Sequence, residues 1–530
     1  MIRQAADEPG SLSLTARPMT RTNHDSRRVV AGRRGGGATP GAPARGEVAI
    51  GRATRIVIRT LSVLVLSAAL PALLVSEIAD VGRSEAWVIT LVLMIWAGFR
   101  LSLLWVRGEP RLFDFFFWLF VYIFMGIAPT AQIRSGLVST TTPGMDNALD
   151  VPTAGVVALG VACYEIGRLL WIWREHARHG EREVAVRPVS KLRTIALYGV
   201  ALVLSAFVLS RLGATLLLGS REAAAAAKEA AWPDPAMREL IFASGIYPLL
   251  VSVGALSQIR RSTASLLTRR RATVAAVFGA VILLMIVNPI ASARYTFGTV
   301  AFALAAFAGA VVTRRRARLT MLAVVGGFLF VFPILDAFRR PEGTASRAGF
   351  FDEYLANPDY DAFWQVANAL SFSIDGLVVP MRQLMGSLLF WVPRAIWPTK
   401  PTGTGVLLAE YRGYTFDNLS APMWAEALVN GGLVAVVIVF LLLGASLRAM
   451  DTRIRPAFAR GGVWALAGAI FPAYMTILLR GSLLQATGAL ALTIACILVV
   501  RGAPNELEPG EPGRARHPVV GRASSGSSVQ

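Results

Sequence analysis

The residues of this chain best suited to chemistry are arginines at the ends of apolar stretches. Arg294 sits in NPIASARYTFG and Arg480 in LLRGSLL, each at a tight turn between two apolar runs. Arg221 follows Gly219-Ser220, Arg394 lies in VPRAIWPTKP with Lys400 a little further on, and Arg339 and Arg340 stand side by side. A guanidinium is a planar fork that can hold a phosphate through two parallel hydrogen bonds. Several forks at one face would suit a pyrophosphate. The plainer role for each is to lay its stem along apolar surface and reach lipid phosphate with its charge. That role explains Arg339 and Arg340 better, and for Arg221 the two roles balance.

Carboxylates supply candidate general bases. Glu426 opens an apolar run in MWAEALVNGG, and Asp336 closes another in PILDAFRR. Glu353, Asp375, Glu410 and Asp417 lie between these two runs. An ionisable group at a membrane helix end is a default site candidate. Glu426 could also simply complement a helix N-terminus, and Asp336 could pair with Arg339 or Arg340. Asp359-Tyr360-Asp361 looks like the Asp-x-Asp motif that holds metal in many sugar transferases. It follows Asn357-Pro358 and precedes AFWQVANAL, which is how a helix start is written, so capping acids are the better explanation.

Other chemistries find little support. The four histidines (His24, His176, His179, His517) fall in tails or basic loops on the side opposite the arginine turns, so no outer-face histidine base or histidine metal site is expected. Cys163 and Cys496 lie inside apolar stretches and suggest neither a disulfide framework nor a metal site. No phosphate loop, zinc-protease helix or dinucleotide glycine pattern occurs in a usable context. No cofactor or metal is expected.

The elements that must position these groups are membrane helices. Of 530 residues, 54% are hydrophobic and only 16% charged, too few charges to coat soluble domains of this size. A spanning helix needs about 20 mostly apolar residues. Twelve stretches qualify, near 56–78, 86–106, 112–132, 151–173, 194–217, 239–258, 273–290, 295–312, 319–335, 427–447, 462–479 and 482–500. The net charge of +20 resides in tails and short loops and orients these helices; it does not mark a nucleic-acid binder. With the N-terminus inside, the inner loops carry 21 basic residues in 59 positions and the short outer loops 7 in 52. The sequence therefore predicts an all-α polytopic protein of a cytoplasmic (inner) membrane with both termini cytoplasmic. Residues 1–55 read as a disordered basic tail, 56–335 as helices one to nine, 336–426 as a long extracytoplasmic loop, 427–500 as helices ten to twelve, and 501–530 as a second disordered tail. Within the long loop, LMGSLLFWVPRAIW (384–397) is too short and too interrupted to span, and an interfacial or re-entrant helix fits it better.

The stretch FWVPRAIWPTKPTGTG, followed by SAPMWAEALVNGGLVAVVIVFLLLG, resembles the oligosaccharide repeat-unit polymerases, the Wzy-type O-antigen polymerases. The resemblance rests on Pro393, Arg394, Trp397, Pro398, Lys400 and Pro401, then Glu426, Asn430 and Gly431, and on the SARYTFG turn with Arg294. It implies a membrane glycosyltransferase of the GT-C kind. Such an enzyme transfers a growing glycan from undecaprenyl pyrophosphate to the next lipid-linked repeat unit at the outer leaflet. Flippase and chain-length regulator proteins are the further partners it implies. Arg294, Arg394, Lys400, Arg480 and Arg221 are then the candidate pyrophosphate ligands, Glu426 the first candidate base and Asp336 the reserve. O-antigen ligases and other lipid-linked glycosyltransferases share the layout, but the ligases depend on an outer-face histidine that this chain lacks. A twelve-span transporter, or a flippase of lipid-linked oligosaccharide, is the alternative of a different class.

Overall fold

The computed structural model describes residues 52–177, 187–331 and 350–503. Asp336, Arg339, Arg340, His24, His179 and His517, and all but the first or last few residues of the expected tails, lie outside the described residues. Among those residues the structure is helical, and its sole strand-like pairing is a single bridge between Val189 and Arg501.

Among the described residues, eight helices are long and apolar enough to cross a membrane. They are α1 (Ile56–Glu77), α2 (Ala86–Arg107), α3 (Leu112–Arg134), α4 (Asn147–Ala177), α5 (Lys191–Gly213), α7 (Met237–Ser262), α15 (Met423–Arg460) and α16 (Val463–Arg480). Between α5 and α7 runs the short helix α6 (Arg221–Ala231). Four further stretches expected to span fall short for identifiable reasons. α8 (Leu266–Ile286) begins with Arg269, Arg270 and Arg271 inside the helix. α9 (Arg294–Ala308) and α17 (Leu483–Val499) have 15 and 17 residues. α10 (Arg314–Gly326), which continues as a π turn over Gly327–Val331, opens with arginines at 314, 315, 316 and 318, and the end of its expected span lies outside the described residues. The chain is nonetheless a polytopic, membrane-embedded protein.

The connecting segments sort into two sets. Glu109 pairs with Arg455 at 3.2 Å, Trp105 Nε1 donates to the Arg318 carbonyl, Gln258 Nε2 donates to the Gly462 carbonyl, and Val463 N donates to the Arg187 carbonyl. Those segments are the expected inner loops. In the other set, Val81 N donates to the Arg134 carbonyl, Arg83 pairs with Asp150, and Arg412 Nη2 donates to the Gly144 carbonyl.

Helix α3 forms the centre, and its sequence explains why: LFDFFFWLFVYIFMGIAPTAQIR is apolar on every side, and all of it is buried. Pro129 has no N–H to give to the preceding turn, and the helix widens there into a π segment, Val121–Ile127. By contrast α1, α5 and α8 turn residues such as Leu61, Val203 and Phe278 outward, as lipid-facing helices do.

The tightest helix pair is α4 with α15. A Cβ on Gly167 would stand 2.0 Å from the Leu441 carbonyl, and one on Gly444 would stand 2.0 Å from the Tyr164 carbonyl. Small residues let helix backbones approach closely in lipid, where van der Waals packing is one of the forces that drives association. Gly167→Leu is therefore expected to destabilise the fold by about 3 kcal/mol, the upper end for overpacking. The yield of monodisperse protein after detergent extraction measures it.

The sequence reads 448–461 as an inner loop, but α15 continues unbroken to Arg460. Leu447, Asp451, Ile454 and Phe458 are buried at helical spacing along one face of that extension. The two oxygens of Asp451 accept from Phe113 N and Asp114 N, both at 3.1 Å, so α15 caps the start of α3.

The segment 336–426 is also more than a loop. It contains α11 (Asp352–Ala356), α12 (Ala362–Ile374), α13 (Arg382–Leu388) and α14 (Thr404–Arg412). Helix α12 is buried, with Phe363 and Trp364 fully enclosed, and packs against α15. Of the expected interfacial helix over 384–397, only the part inside Arg382–Leu388 is helical; the rest is turns. Helix α15 breaks near its start, where Gly432 adopts φ +61°, a conformation suited to glycine. That break separates a buried N-terminal piece carrying Trp424, Glu426 and Asn430 from the main span.

Candidate functional site

Arg294 is the first residue of α9 and Arg480 the last of α16. These two helices pack side by side, which brings the arginines to one end of the bundle. Between them lies the turn Pro358–Tyr360 that precedes α12. Arg480 Nη2 stands 3.3 Å from Asp359 Oδ1 and 3.4 Å from Asp361 Oδ1, and its Nε donates to the Asp359 carbonyl at 3.0 Å. Arg294 Nη1 stands 3.6 Å from Asp359 Oδ2 and 4.0 Å from Glu353 Oε1. One carboxylate, that of Asp359, thus bridges both guanidinium groups. A small cleft opens at this point, lined by Phe124, Arg294, Tyr295, Phe328, Asp359 and Tyr360.

The local sequence builds this turn. Asn357 accepts from Asp359 N at 2.9 Å, and its amide donates to the Glu353 carboxylate. Pro358 fixes the first position of a single tight turn. Asp361 is held from three sides, by Ser420 N at 3.1 Å, Gln365 Nε2 at 3.3 Å and Thr141 Oγ1 at 3.4 Å. The wide segment of α3 turns Phe124 toward the turn, where it stacks on Tyr360 at 5.5 Å. Arg480 lies over the Tyr295 ring, 5.3 Å from its centroid. Burial pushes the Tyr360 phenol well above its usual range, so the cleft wall stays uncharged there.

Among the described residues, two guanidinium groups here face three carboxylates. Glu353 and Asp361 are enclosed, whereas the Asp359 side chain keeps 21% of its surface exposed in the cleft. Within such a site, charge interactions are stronger than in water, and a lost partner is correspondingly expensive. Among the described residues, no group of His, Cys, Asp or Glu has the arrangement of a metal site.

The capping role expected for the two acids holds only for position. Asp361 stands at the N-terminal boundary of α12, but its side chain makes no capping hydrogen bond to that helix. The acids serve Arg480 and Ser420 N instead, a role the sequence did not reveal because the partners are remote along the chain.

Among the described residues, the other candidates do not line this cleft. Arg394 Nη1 donates to the Lys400 carbonyl at 2.9 Å, and Lys400 Nζ donates to the carbonyls of Phe390 and Val392 at 2.6 and 2.9 Å. Both cations thus hold their own loop together. Pro393 and Pro398 are exposed, Trp397 is half-buried, and Pro401 is buried against Gly386. Burial, and then the neighbouring Arg394 charge, lower the Lys400 ammonium below its usual range. Lys400→Met should release the clasp, and hydrogen exchange of the 390–400 backbone should accelerate by about tenfold or more. Arg221 opens α6, and its side chain lies outside the described residues.

Glu426 is buried, 2% exposed, and does not line the cleft. Its Oε1 accepts from Leu483 N and its Oε2 from Thr404 Oγ1, both at 2.8 Å. Thr404 N donates in turn to Ser482 Oγ at 3.1 Å, and Ala421 N donates to the Arg480 carbonyl at 2.8 Å. The carboxylate therefore ties the starts of α14 and α17 to the α15 piece, one turn from Arg480. Asn430 extends the brace: its Oδ1 accepts from Leu384 N, and its carbonyl accepts from Met381 N.

No family model matches the chain, and no curated protein or solved structure matches it significantly.

Proposed function

We propose that this protein is a GT-C-like membrane glycosyltransferase that polymerises undecaprenyl-pyrophosphate-linked oligosaccharide repeat units at the outer face of a cytoplasmic membrane. The observation that carries the proposal is the convergence of Arg294 and Arg480 from two separate helices on one cleft. The sorting of the connecting segments into two contacting sets supports an alternating chain of twelve crossings, and the excess of basic residues in one set supports both ends being inside. On that topology the cleft faces outward.

In the reaction, the bond between the donor's anomeric carbon and its phosphate oxygen breaks, and the acceptor hydroxyl oxygen bonds to that carbon. The pyrophosphate leaves on its lipid with the bonding electrons, and the hydroxyl proton passes to a carboxylate. Arg294 and Arg480 bind the pyrophosphate and stabilise the charge that develops on it. Asp359 is the carboxylate placed in the cleft to accept the proton. Arg394 and Lys400 shape the loop that flanks the site, and Glu426 holds the Arg480 turn in place.

Lipid-linked glycans from cells lacking the protein test this. Single repeat units exposed on the outer leaflet are the expected result. Single units confined inside would favour a flippase, long lipid-linked polymer would favour a ligase, and an unchanged profile would reject the glycan function.

A further inference from the structure

Resting on that reading of the arginine pair, we propose that Asp359 is a built-in stand-in for the substrate phosphate, which must be displaced before a pyrophosphate can bind. Both forks already hold carboxylates: Arg480 faces Asp359 and Asp361, and Arg294 faces Asp359 and Glu353. A pyrophosphate can take up the same forks only where one of these carboxylates gives way. Asp361 cannot readily do so, because Ser420 N, Gln365 and Thr141 all hold it. Glu353 is enclosed and bonded to Asn357.

Asp359 is the most exposed of the three, with 21% of its side chain open against 2% for each of the others. Its two oxygens span the two guanidinium groups, at 3.3 Å from Arg480 and 3.6 Å from Arg294, as two oxygens of a bridging phosphate would. It is the acid with a face in the cleft, and it rides on a single short turn rather than inside a helix. Moving that turn opens the cleft side of both forks at once, with Asp361 and Glu353 still behind them, and leaves a carboxylate beside the bound donor, where the acceptor's proton has to go. In the absence of donor, the same contact keeps the two forks paired and the cleft closed to weaker anions such as lipid phosphodiesters.

The experiment is binding of undecaprenyl pyrophosphate and of inorganic pyrophosphate to the full-length protein in nanodiscs, comparing wild type with Asp359→Asn. The asparagine variant should bind the lipid pyrophosphate about tenfold tighter or more, about 1.4 kcal/mol in binding free energy. In the wild type, which needs no variant to fold, the lipid should accelerate hydrogen exchange across residues 352–361 by releasing the turn. Equal or weaker binding by the variant, or slower exchange in the wild type, overturns the displacement while leaving the pyrophosphate site standing. Absence of binding to either protein overturns both. A response to inorganic pyrophosphate alone assigns the pair to a soluble ligand, which keeps the displacement and rejects the lipid-linked donor.

Discussion

Arg480→Gln should lower the rate of glycan polymerisation by about 100-fold or more, with single lipid-linked repeat units accumulating in its place. Glutamine preserves some length and polarity but removes the charge and the planar fork. Loss of one fixed donor to a developing oxyanion is worth about 100- to 1,000-fold. Arg480 also donates to the Asp359 carbonyl and faces the carboxylates of Asp359 and Asp361, so the substitution frees the turn as well. Arg480→Lys separates the two contributions. A lysine keeps the charge without the fork, and it should recover the stability of the turn more fully than the rate. Turnover of lipid-linked substrate, read beside thermal unfolding, measures both. Near-normal turnover in Arg480→Gln would show that the arginine serves structure alone.

Glu426 gives the second large effect, and its sign depends on the replacement. Its two oxygens accept from Leu483 N and Thr404 Oγ1. Glu426→Ala orphans both donors in a buried site and should destabilise the protein by about 2–4 kcal/mol, with activity lost as the Arg480 turn loosens. Glu426→Gln keeps an oxygen for Leu483 N and turns its amide toward the Thr404 hydroxyl, which can accept as well as donate. For a brace, this variant should keep activity within about tenfold of wild type. For a general base, the same change would remove about 100- to 10,000-fold. The ratio of the Gln to the Ala variant in a turnover assay therefore decides between the roles.

The arginines were legible because each stands against the charge bias that orients the helices. A cation at a turn on the side the charge bias makes outer, such as SARY or LLRG, invites an explanation that an inner-loop arginine does not. Asp359 was not legible as their partner, because its local setting, Asn-Pro-Asp-Tyr-Asp, is also how a helix start is written, and the meeting with Arg294 and Arg480 is made by helix packing. Glu426 could be singled out as an acid at the head of an apolar run, but its hydrogen-bond partners belong to α14 and α17. Helix α12 escaped the search for spans because its 13 residues are too few to cross a bilayer, although FWQVANAL is apolar enough to be buried. The extension of α15 was hidden by its arginines. The buried spacing of Leu447, Asp451, Ile454 and Phe458 is the signal that counting charges passes over.

The most direct test of the central proposal is reconstitution. The purified protein is placed in vesicles with undecaprenyl-pyrophosphate-linked single repeat units as the only glycan, and products are sized by mass. A ladder of longer lipid-linked glycans, with one undecaprenyl pyrophosphate released for each new linkage, is the predicted result. Repeat units that stay single, whether left in place or moved across the bilayer intact, would contradict it.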